Sequence, residues 1–422
     1  MNRHYYTIPK AKIPQVLSHA ETCIYQRAGR SSIDKKRILF FTHAAAFGGA
    51  EKSLLELVPK LDTELFDFKI LFLSQGPLAD AFEQSGIPIH IIETPEEILS
   101  IRRAEFFTPG NIRSTIERLK IVKPLVRAVA DYAKNDGADL LYCNTTKAHL
   151  VGALAGHRAK IPVLWHFRDY FTSSRIRALY RWTARFRAGC VVCNSRFTAK
   201  QFPKHRNAQV VYSGIDPEKM KPAKDPAEVR RELGIPLEAP LIGMAGRLDP
   251  WKGHKVFLRA AARILEDIRD AHFIIVGDAL YSDQNYPGDL QRLAEDYGIA
   301  NHVSFTGFRL DMPDIMNIIN VYAHPSEEPE PFGRGIVEAM LLGKPVIASG
   351  AGGPEEIVRH AETGVLVDPG DSVALARAAV QLIDNPEVAQ AFGDNGRIRA
   401  NTLFTLDTTA RKINEILADL LK

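Results

Sequence analysis

The 422-residue chain has four cysteines, Cys23, Cys143, Cys190 and Cys193, too few to staple a fold with disulfides. Cys190 and Cys193 have the spacing of a redox pair, but "GCVVCNS" reads as a buried strand between loops, with no helix opening after the first cysteine. A structural role is the expectation. No apolar run approaches the roughly 20 residues needed to span a bilayer. The start, "MNRHYYTIPKAKIPQ", has neither the apolar core nor the cleavage site of a secretory signal, so the cytoplasm is the expected compartment. No Asp-x-Asp stands at a strand end, and no His/Cys cluster has metal-ligand spacing, so the expected site uses no metal. A complete dinucleotide fingerprint and a P-loop are both missing. So are a zinc finger, a helix-turn-helix pattern and aromatics interleaved along a basic groove, which argues against nucleic acid as a partner.

At 45% hydrophobic and 25% charged residues, the chain is globular and long enough for two domains. From Lys36 onward short β-branched or aromatic runs alternate with helical patterns. "RILFFTH", "FDFKILFL", "IPIHII", "DLLYCN", "VLWHF", "CVVCNS" and "AQVVYS" read as strands of a buried parallel sheet. Stretches such as "AEKSLLELVPKL" and "TKAHLVGALAGHRA" read as the helices between them, which predicts a doubly wound α/β domain. "SGIDPEKMKPAKDPAEVRREL" then breaks the rhythm with Gly214, Pro217, Pro222 and Pro226, a composition expected of a linker. A second series follows: "LIGMAG", "HFIIVGD", "HVSFTG", "VYAHPS", "PVIASG" and "GVLVDP". The expected division is an N-terminal extension at 1–34, a first α/β domain at 35–214, a second at 215–402, and a C-terminal helix at 403–422 that packs back on the first domain.

The net charge of +4 conceals an asymmetry. Residues 1–214 carry 32 basic and 18 acidic side chains, a balance of +14, whereas residues 215–422 carry 22 and 32, a balance of −10. A basic half attracts anionic partners, whether phosphate-bearing substrates, acidic lipid or nucleic acid; it also suits plain attraction between the domains.

In each domain the first strand runs into a glycine-bearing turn. In the first it is "FFTHAAAFGGAEKSLLEL", where Gly48 and Gly49 open a helix. In the second it is "LIGMAGRLDPWKGHKVFL", where Gly246 ends the strand and Gly253 opens a helix. Glycine allows close backbone approach, and the free amides of a helix start favour phosphate. Arg247 and Lys252 lie in the second turn, beyond the C-terminal end of a strand, where open α/β sheets bind ligands. Two cations and a helix dipole suit a pyrophosphate leaving group without a metal. The stretch "HPSEEPEPFGRGIVEAM" then supplies a strand end, a rigid acidic loop and a new helix aimed at the same crevice. Amides from Gly333 through Arg334 and Gly335 to Ile336 are expected to face ligand oxygens. Glu330, held by Pro329 and Pro331, and Glu338, two turns along the helix, are carboxylates able to accept hydroxyl hydrogen bonds at two ends of one molecule. A sugar nucleotide fits that description.

These motifs resemble the retaining glycosyltransferases of family 4, which have the GT-B fold of two Rossmann-like domains facing across a cleft. The Glu-x7-Glu element "EPFGRGIVE" is the most specific match, and "FGGAE", "LWHFRD", "CNSRF", "YSGID", "GRLDPWKG" and "SGAGGPEEIV" sit in the family's order. The resemblance implies transfer of a hexose-type sugar from a nucleoside diphosphate sugar, uridine diphosphate favoured and guanosine diphosphate next. It implies that Glu330 contacts the donor sugar with the amides of Phe332 and Gly333, that Glu338 holds the ribose, and that Arg247 and Lys252 hold the diphosphate. It places Gly48 and Gly49 beside the phosphate and acceptor, and His166 near the reacting sugar. No cofactor and no protein general base are implied. Arg334 and Gly335 depart from the pattern, putting a cation and a flexible residue where many relatives have an apolar pair, so donor recognition there is expected to differ.

The acceptor side falls to the basic domain, through "SIRRAEFFTPGNIRSTIERLKIVKPLVRAV" and "SSRIRALYRWTARFRAG". In the second, Arg177, Arg181 and Arg185 share one helical face while Ile176, Leu179, Tyr180 and Phe186 fall largely on another. Such a helix suits an anionic membrane or a phosphorylated acceptor, and equally an ordinary domain helix; the acceptor itself is expected to be a sugar, a lipid-linked molecule or a small molecule. Two other readings stand beside the transferase: an epimerase or phosphorylase of the same architecture, and a nucleic-acid-binding protein.

Overall fold

The computed structural model describes residues 35–43, 48–95, 112–279 and 283–422, with side chains of the helix Ile112–Asn135 described from residue 122. The N-terminal extension and residues 100–111 of the basic stretch at 100–129 lie outside the described residues.

Each of the apolar runs named above carries a strand. The first sheet comprises β1 (Lys36–Phe41), β2 (Phe66–Phe72), β3 (Ile89–Ile91), β4 (Leu140–Cys143), β5 (Val163–Phe167), β6 (Cys190–Cys193) and β7 (Ala208–Val210). The second comprises β8 (Leu241–Ala245), β9 (His272–Val276), β10 (Val303–Phe305), β11 (Val321–His324), β12 (Val346–Ser349) and β13 (Val365–Val367). All pairings are parallel, in the orders β3-β2-β1-β4-β5-β6-β7 and β10-β9-β8-β11-β12-β13. Helices cover both faces, so central strands such as β1, β4 and β9 are apolar on both sides, which explains their unbroken rather than alternating patterns. Cys143, Cys190 and Cys193 are free thiols buried in these strands, and burial pushes Cys190 and Cys193 up to about 12.

In each order the direction of winding reverses once, between β1 and β4 in the first sheet and between β8 and β11 in the second. Such switch points open a crevice beyond the strands' carboxyl ends. The loops that follow β8 and β11 carry Arg247 and Glu330 respectively.

Two segments join the halves. The proline-rich stretch after Gly214 is packed rather than a loose tether. Ile215, Met220, Val229 and Ile235 enter the second domain's core, Asp314 accepts the amides of Ala223 and Lys224 at 2.6 and 2.9 Å, and buried Arg230 donates to the carbonyls of Pro236, Ala239 and Ile318. Its prolines shape turns while its spaced apolar residues bury. At the other end, the helix Leu406–Leu420 places Leu406, Ala410, Ile413, Ile416 and Leu417 in one apolar cluster with Ile38, Phe40 and Tyr142 of the first sheet.

Candidate active site

The turn after β8 runs through Arg247 and the 3-10 turn Pro250–Lys252 to Gly253, which caps the helix His254–Asp267. Gly253 has φ +79°, and a Cβ there would fall inside the carbonyl oxygen of Pro325 in the loop after β11. Glycine thus lets the two loops touch. The Glu327 amide closes the contact on the Trp251 carbonyl at 2.8 Å.

Glu330 lies at the centre of this contact, 8% exposed. Its backbone pairs with the loop after β12, with the Gly353 amide donating to its carbonyl at 2.8 Å. Its carboxylate receives Lys252 Nζ at 2.6 Å, Ser326 Oγ at 3.2 Å and lies 3.3 Å from His324 Nε2, all at Oε2. Burial by itself would raise this carboxyl, but the Lys252 charge and the His324 ring outweigh burial and hold it below the ordinary carboxylate range. His324 and Ser326 were not singled out from the sequence. The signal available was their position at the end of a buried strand, within reach of an acidic loop.

Gly333, at φ +110°, caps the helix Arg334–Leu341. The Ile336 amide, expected to be free for a ligand, instead donates to the Gly333 carbonyl at 3.1 Å, because this helix begins with a tight 3-10-like turn. The first helical amides, those of Arg334 and Gly335, remain as the orphan donors of the helix start. The Phe332 side chain is buried against Tyr212 and Phe404, with ring centroids 5.9 Å away in both cases, so only its backbone can serve a ligand. Gly335 is a spacer rather than a flexible point. A Cβ there would collide with the Tyr322 hydroxyl, which donates to the Ala245 carbonyl at 3.2 Å.

Arg334 has a specific engagement. Its Nη2 lies 2.8 Å from Glu56 Oε2 in the first domain and 3.9 Å from Glu338 Oε1, while Nη1 donates to the Gly214 carbonyl at 3.4 Å. Glu56 belongs to the helix Gly49–Leu57, which Gly48 caps. One short helix therefore links the Gly48–Gly49 turn to the helix carrying Glu338. Two further contacts cross between the domains nearby. Ser195 Oγ donates to the Pro331 carbonyl at 2.7 Å, and Glu356 accepts the amides of Arg196 and Phe197 at 2.8 and 2.7 Å. Arg247 lies at the edge, its Nη2 3.1 Å from Asp249 and its side chain 41% exposed.

His166, near the end of β5, is 1% exposed. Its Nδ1 meets the Tyr142 hydroxyl and lies 3.0 Å from Arg168 Nη2, and its carbonyl is 3.1 Å from His149 Nε2. Arg168 also donates to Asn144, whose side-chain amide donates to the Ala50 carbonyl at 3.2 Å. Burial, then the charges of Arg168 and His149, push His166 well below the usual histidine value, and burial lowers Arg168 to about 10. Arg168 and Asn144 lie inside the quoted motifs "LWHFRD" and "DLLYCN", but only their convergence across β4 and β5 marks them.

The arginine helix, Ser174–Arg187, differs from expectation in one respect. Tyr180, Thr183 and Ala184 face inward, but Phe186, two positions and about 200° around from Ala184, points outward. It is 57% exposed beside Trp182 at 60%, with ring centroids 5.6 Å apart.

Two parallel-sheet domains joined across a cleft, with a buried carboxylate at a helix start beside a lysine, define a GT-B glycosyltransferase. Residues 47–219 match the family described as Glycosyltransferase Family 4 and residues 225–399 the one described as Glycosyl transferases group 1. HepE of Anabaena, solved with UDP and glucose and also with UDP-glucose, is 31% identical. The match covers 91% of this chain, essentially all of HepE, and has a TM-score of 0.77. An Escherichia coli UDP-Gal:alpha-D-GlcNAc-diphosphoundecaprenol alpha-1,3-galactosyltransferase is 25% identical over 93% of this chain and 99% of its own length. A D-inositol 3-phosphate glycosyltransferase of Corynebacterium urealyticum is 35% identical over 50% of this chain and 51% of its own. The chain belongs to glycosyltransferase family 4.

Proposed function

We propose that this enzyme moves a hexose-type sugar from a nucleoside diphosphate sugar to an acceptor hydroxyl, with retention of anomeric configuration and without a metal ion. The observation that carries this reading is the Glu330 carboxylate, ionised and held on one oxygen by Lys252, Ser326 and His324 beside the start of the helix Arg334–Leu341. Glu330 receives donor sugar hydroxyls, with the Phe332 and Gly333 amides assisting. Glu338 receives the ribose, and the amides of Arg334 and Gly335 face the phosphates. Arg247 and Lys252 neutralise the diphosphate as it leaves, the charge stabilisation a metal would otherwise supply. Gly48 and Gly49 bring the first domain's backbone to the phosphate and acceptor, and His166 stands by the reacting sugar. The bond from the anomeric carbon to the leaving phosphate breaks while the acceptor oxygen bonds on the same face, and a phosphate oxygen takes the acceptor's proton. No side chain is assigned as general base.

HepE's complexes with UDP and UDP-glucose and the UDP-Gal named for the E. coli relative favour a uridine diphosphate sugar, with guanosine diphosphate next. The diphosphoundecaprenol in that relative's name favours a lipid-linked acceptor, with a soluble sugar or small molecule as the other choice. No helix among the described residues is long and apolar enough to cross a membrane. Peripheral contact of the basic domain with an anionic membrane would bring a lipid-linked acceptor within reach.

Nucleoside diphosphate release from a panel of uridine, guanosine and adenosine diphosphate sugars, with chelator present, tests the reading. Selective release that falls by about 10²-fold or more in Arg247→Ala, and is lost in Glu330→Ala, is expected. Release that needs a divalent ion, or that survives both substitutions, sinks it.

A further inference from the structure

The hydrogen bonds around His166 determine which ring nitrogen carries its proton. A guanidinium has only donors, and Arg168 Nη2 lies 3.0 Å from His166 Nδ1. Nδ1 must therefore accept, and the Tyr142 hydroxyl on β4 donates to the same atom. A neutral ring then holds its proton on Nε2. Protonating Nδ1 would set N–H against N–H and add a second positive charge beside Arg168. Arg168 is itself braced, since its Nη1 donates to Asn144 and Asn144 donates to the Ala50 carbonyl on the helix Gly49–Leu57. The His149 ring, on the helix Thr146–Ala159, holds the His166 backbone at 3.1 Å. Nε2 is buried and has no hydrogen-bond partner among the described residues. Buried polar groups in native proteins are nearly always paired, so an orphan donor points to a role. Glu51 at the start of the first helix and Arg334 of the second domain both act electrostatically on Arg168, which locates the cluster where the domains meet.

We infer that Arg168 is a positioning residue that locks His166 as the neutral Nε2–H tautomer, making the ring a permanent hydrogen-bond donor to an oxygen of the transferred sugar rather than an acid or base. The recipient rests on the transferase reading; the tautomer does not. The groups facing the ring are Tyr142 from β4, Arg168 beyond β5 and His149 from the helix behind, with Asp169 and Glu51 about the guanidinium. The two basic neighbours oppose a proton on His166, and Tyr142, buried and pushed up, stays neutral.

The test uses the full chain labelled with ¹⁵N-histidine. Two-bond ¹H–¹⁵N correlations distinguish the two neutral tautomers from imidazolium, and the His166 signal is assigned by its loss in His166→Gln. Wild type is expected to show Nε2–H on both sides of the ordinary histidine pKa of about 6.5. Arg168→Met should produce a mixed or titrating ring, a kcat lower by roughly 10- to 100-fold as when an oriented ring loses its partner, little change in donor KM, and a new acid limb in kcat. Arg168→Lys, which keeps a donor against Nδ1, should restore the tautomer and flatten the profile. A wild-type ring that titrates near 6.5 or carries its proton on Nδ1 overturns the inference, as does an Arg168→Met ring and pH profile like those of wild type. If no sugar nucleotide is turned over at all, the transferase reading fails while the tautomer is still read directly.

Discussion

At the scale of single residues, Lys252 has two tasks that a pH experiment can separate. It opposes the upward push of burial on the Glu330 carboxyl, and in the proposed reaction it also supplies positive charge to the diphosphate. Glu330, with its pKa below the unfolded value, contributes stability that is present above the unfolded carboxyl pKa and lost as pH falls through the folded one. In Lys252→Met the carboxylate keeps only His324 and Ser326 against burial, so its folded pKa rises and this contribution to stability shrinks. Urea unfolding of the two proteins should therefore differ by about 3 kcal/mol near neutral pH, the difference narrowing as pH falls from the variant's raised folded pKa toward the wild type's lowered one. A gap independent of pH would mean that Lys252 does not set the ionisation of Glu330. Gly335 offers a second test. Gly335→Ala should disturb the helix start and reduce kcat/KM, and adding Tyr322→Phe, which removes the colliding hydroxyl, should recover most of the loss. Absence of recovery would place the defect elsewhere than in that contact.

Among the elements, the helix Gly49–Leu57 carries more than its nine residues suggest. Gly48 opens it without strain, Asn144 of the first sheet holds its Ala50 carbonyl, and Glu56 near its far end reaches Arg334. The helix Arg334–Leu341 thus approaches the first domain through an ion pair whose two side chains are 18% and 11% exposed. A double-mutant cycle with Glu56→Gln and Arg334→Met should show a coupling of about 0.5–3 kcal/mol in kcat/KM, because either change alone already breaks the tie between domains. Strict additivity would show that the two side chains do not act on turnover as a pair. The arginine at 334 thus has a definite place in the fold, tying its helix to the first domain across the cleft.

For the molecule as a whole, charge and exposed apolar surface coincide on the first domain. Between Asp169 and Asp216 there is no acidic residue and there are nine lysines and arginines, and the outward Trp182–Phe186 pair lies within that span with Arg185 5.7 Å from the Phe186 ring. Aromatic rings at the interface beside cations are the usual means of peripheral membrane attachment. Sedimentation with vesicles containing anionic lipid should retain the wild-type protein. Trp182→Ser with Phe186→Ser should weaken retention by about 10-fold or more, from the apolar area withdrawn, and raised salt should weaken it further. Equal binding to neutral vesicles, or no binding at all, would argue for a soluble acceptor.

What the sequence determined by itself is local and periodic. The described strands were legible because the central ones, buried on both faces, are short apolar runs whatever lies beside them, and the half-buried edge strands β3, β7 and β13 are still short apolar or β-branched runs between turn residues; the "EPFGRGIVE" spacing placed Glu330 and Glu338 at fixed positions on a loop and a helix. The glycine turns were legible as turns, though not that Gly253 serves the Pro325 loop or that Gly335 makes room for Tyr322. Only the tertiary structure decided those matters. It brought Lys252 to Glu330 across 78 positions and Glu56 to Arg334 across 278, and it turned Phe186 to the outside. The order of strands in the two sheets, reversing at β1–β4 and β8–β11, sets which loops become neighbours, and no periodicity along the chain encodes that order. Partners chosen by sheet order also decide protonation, so the charge on Glu330 and the proton on His166 belong to the folded molecule.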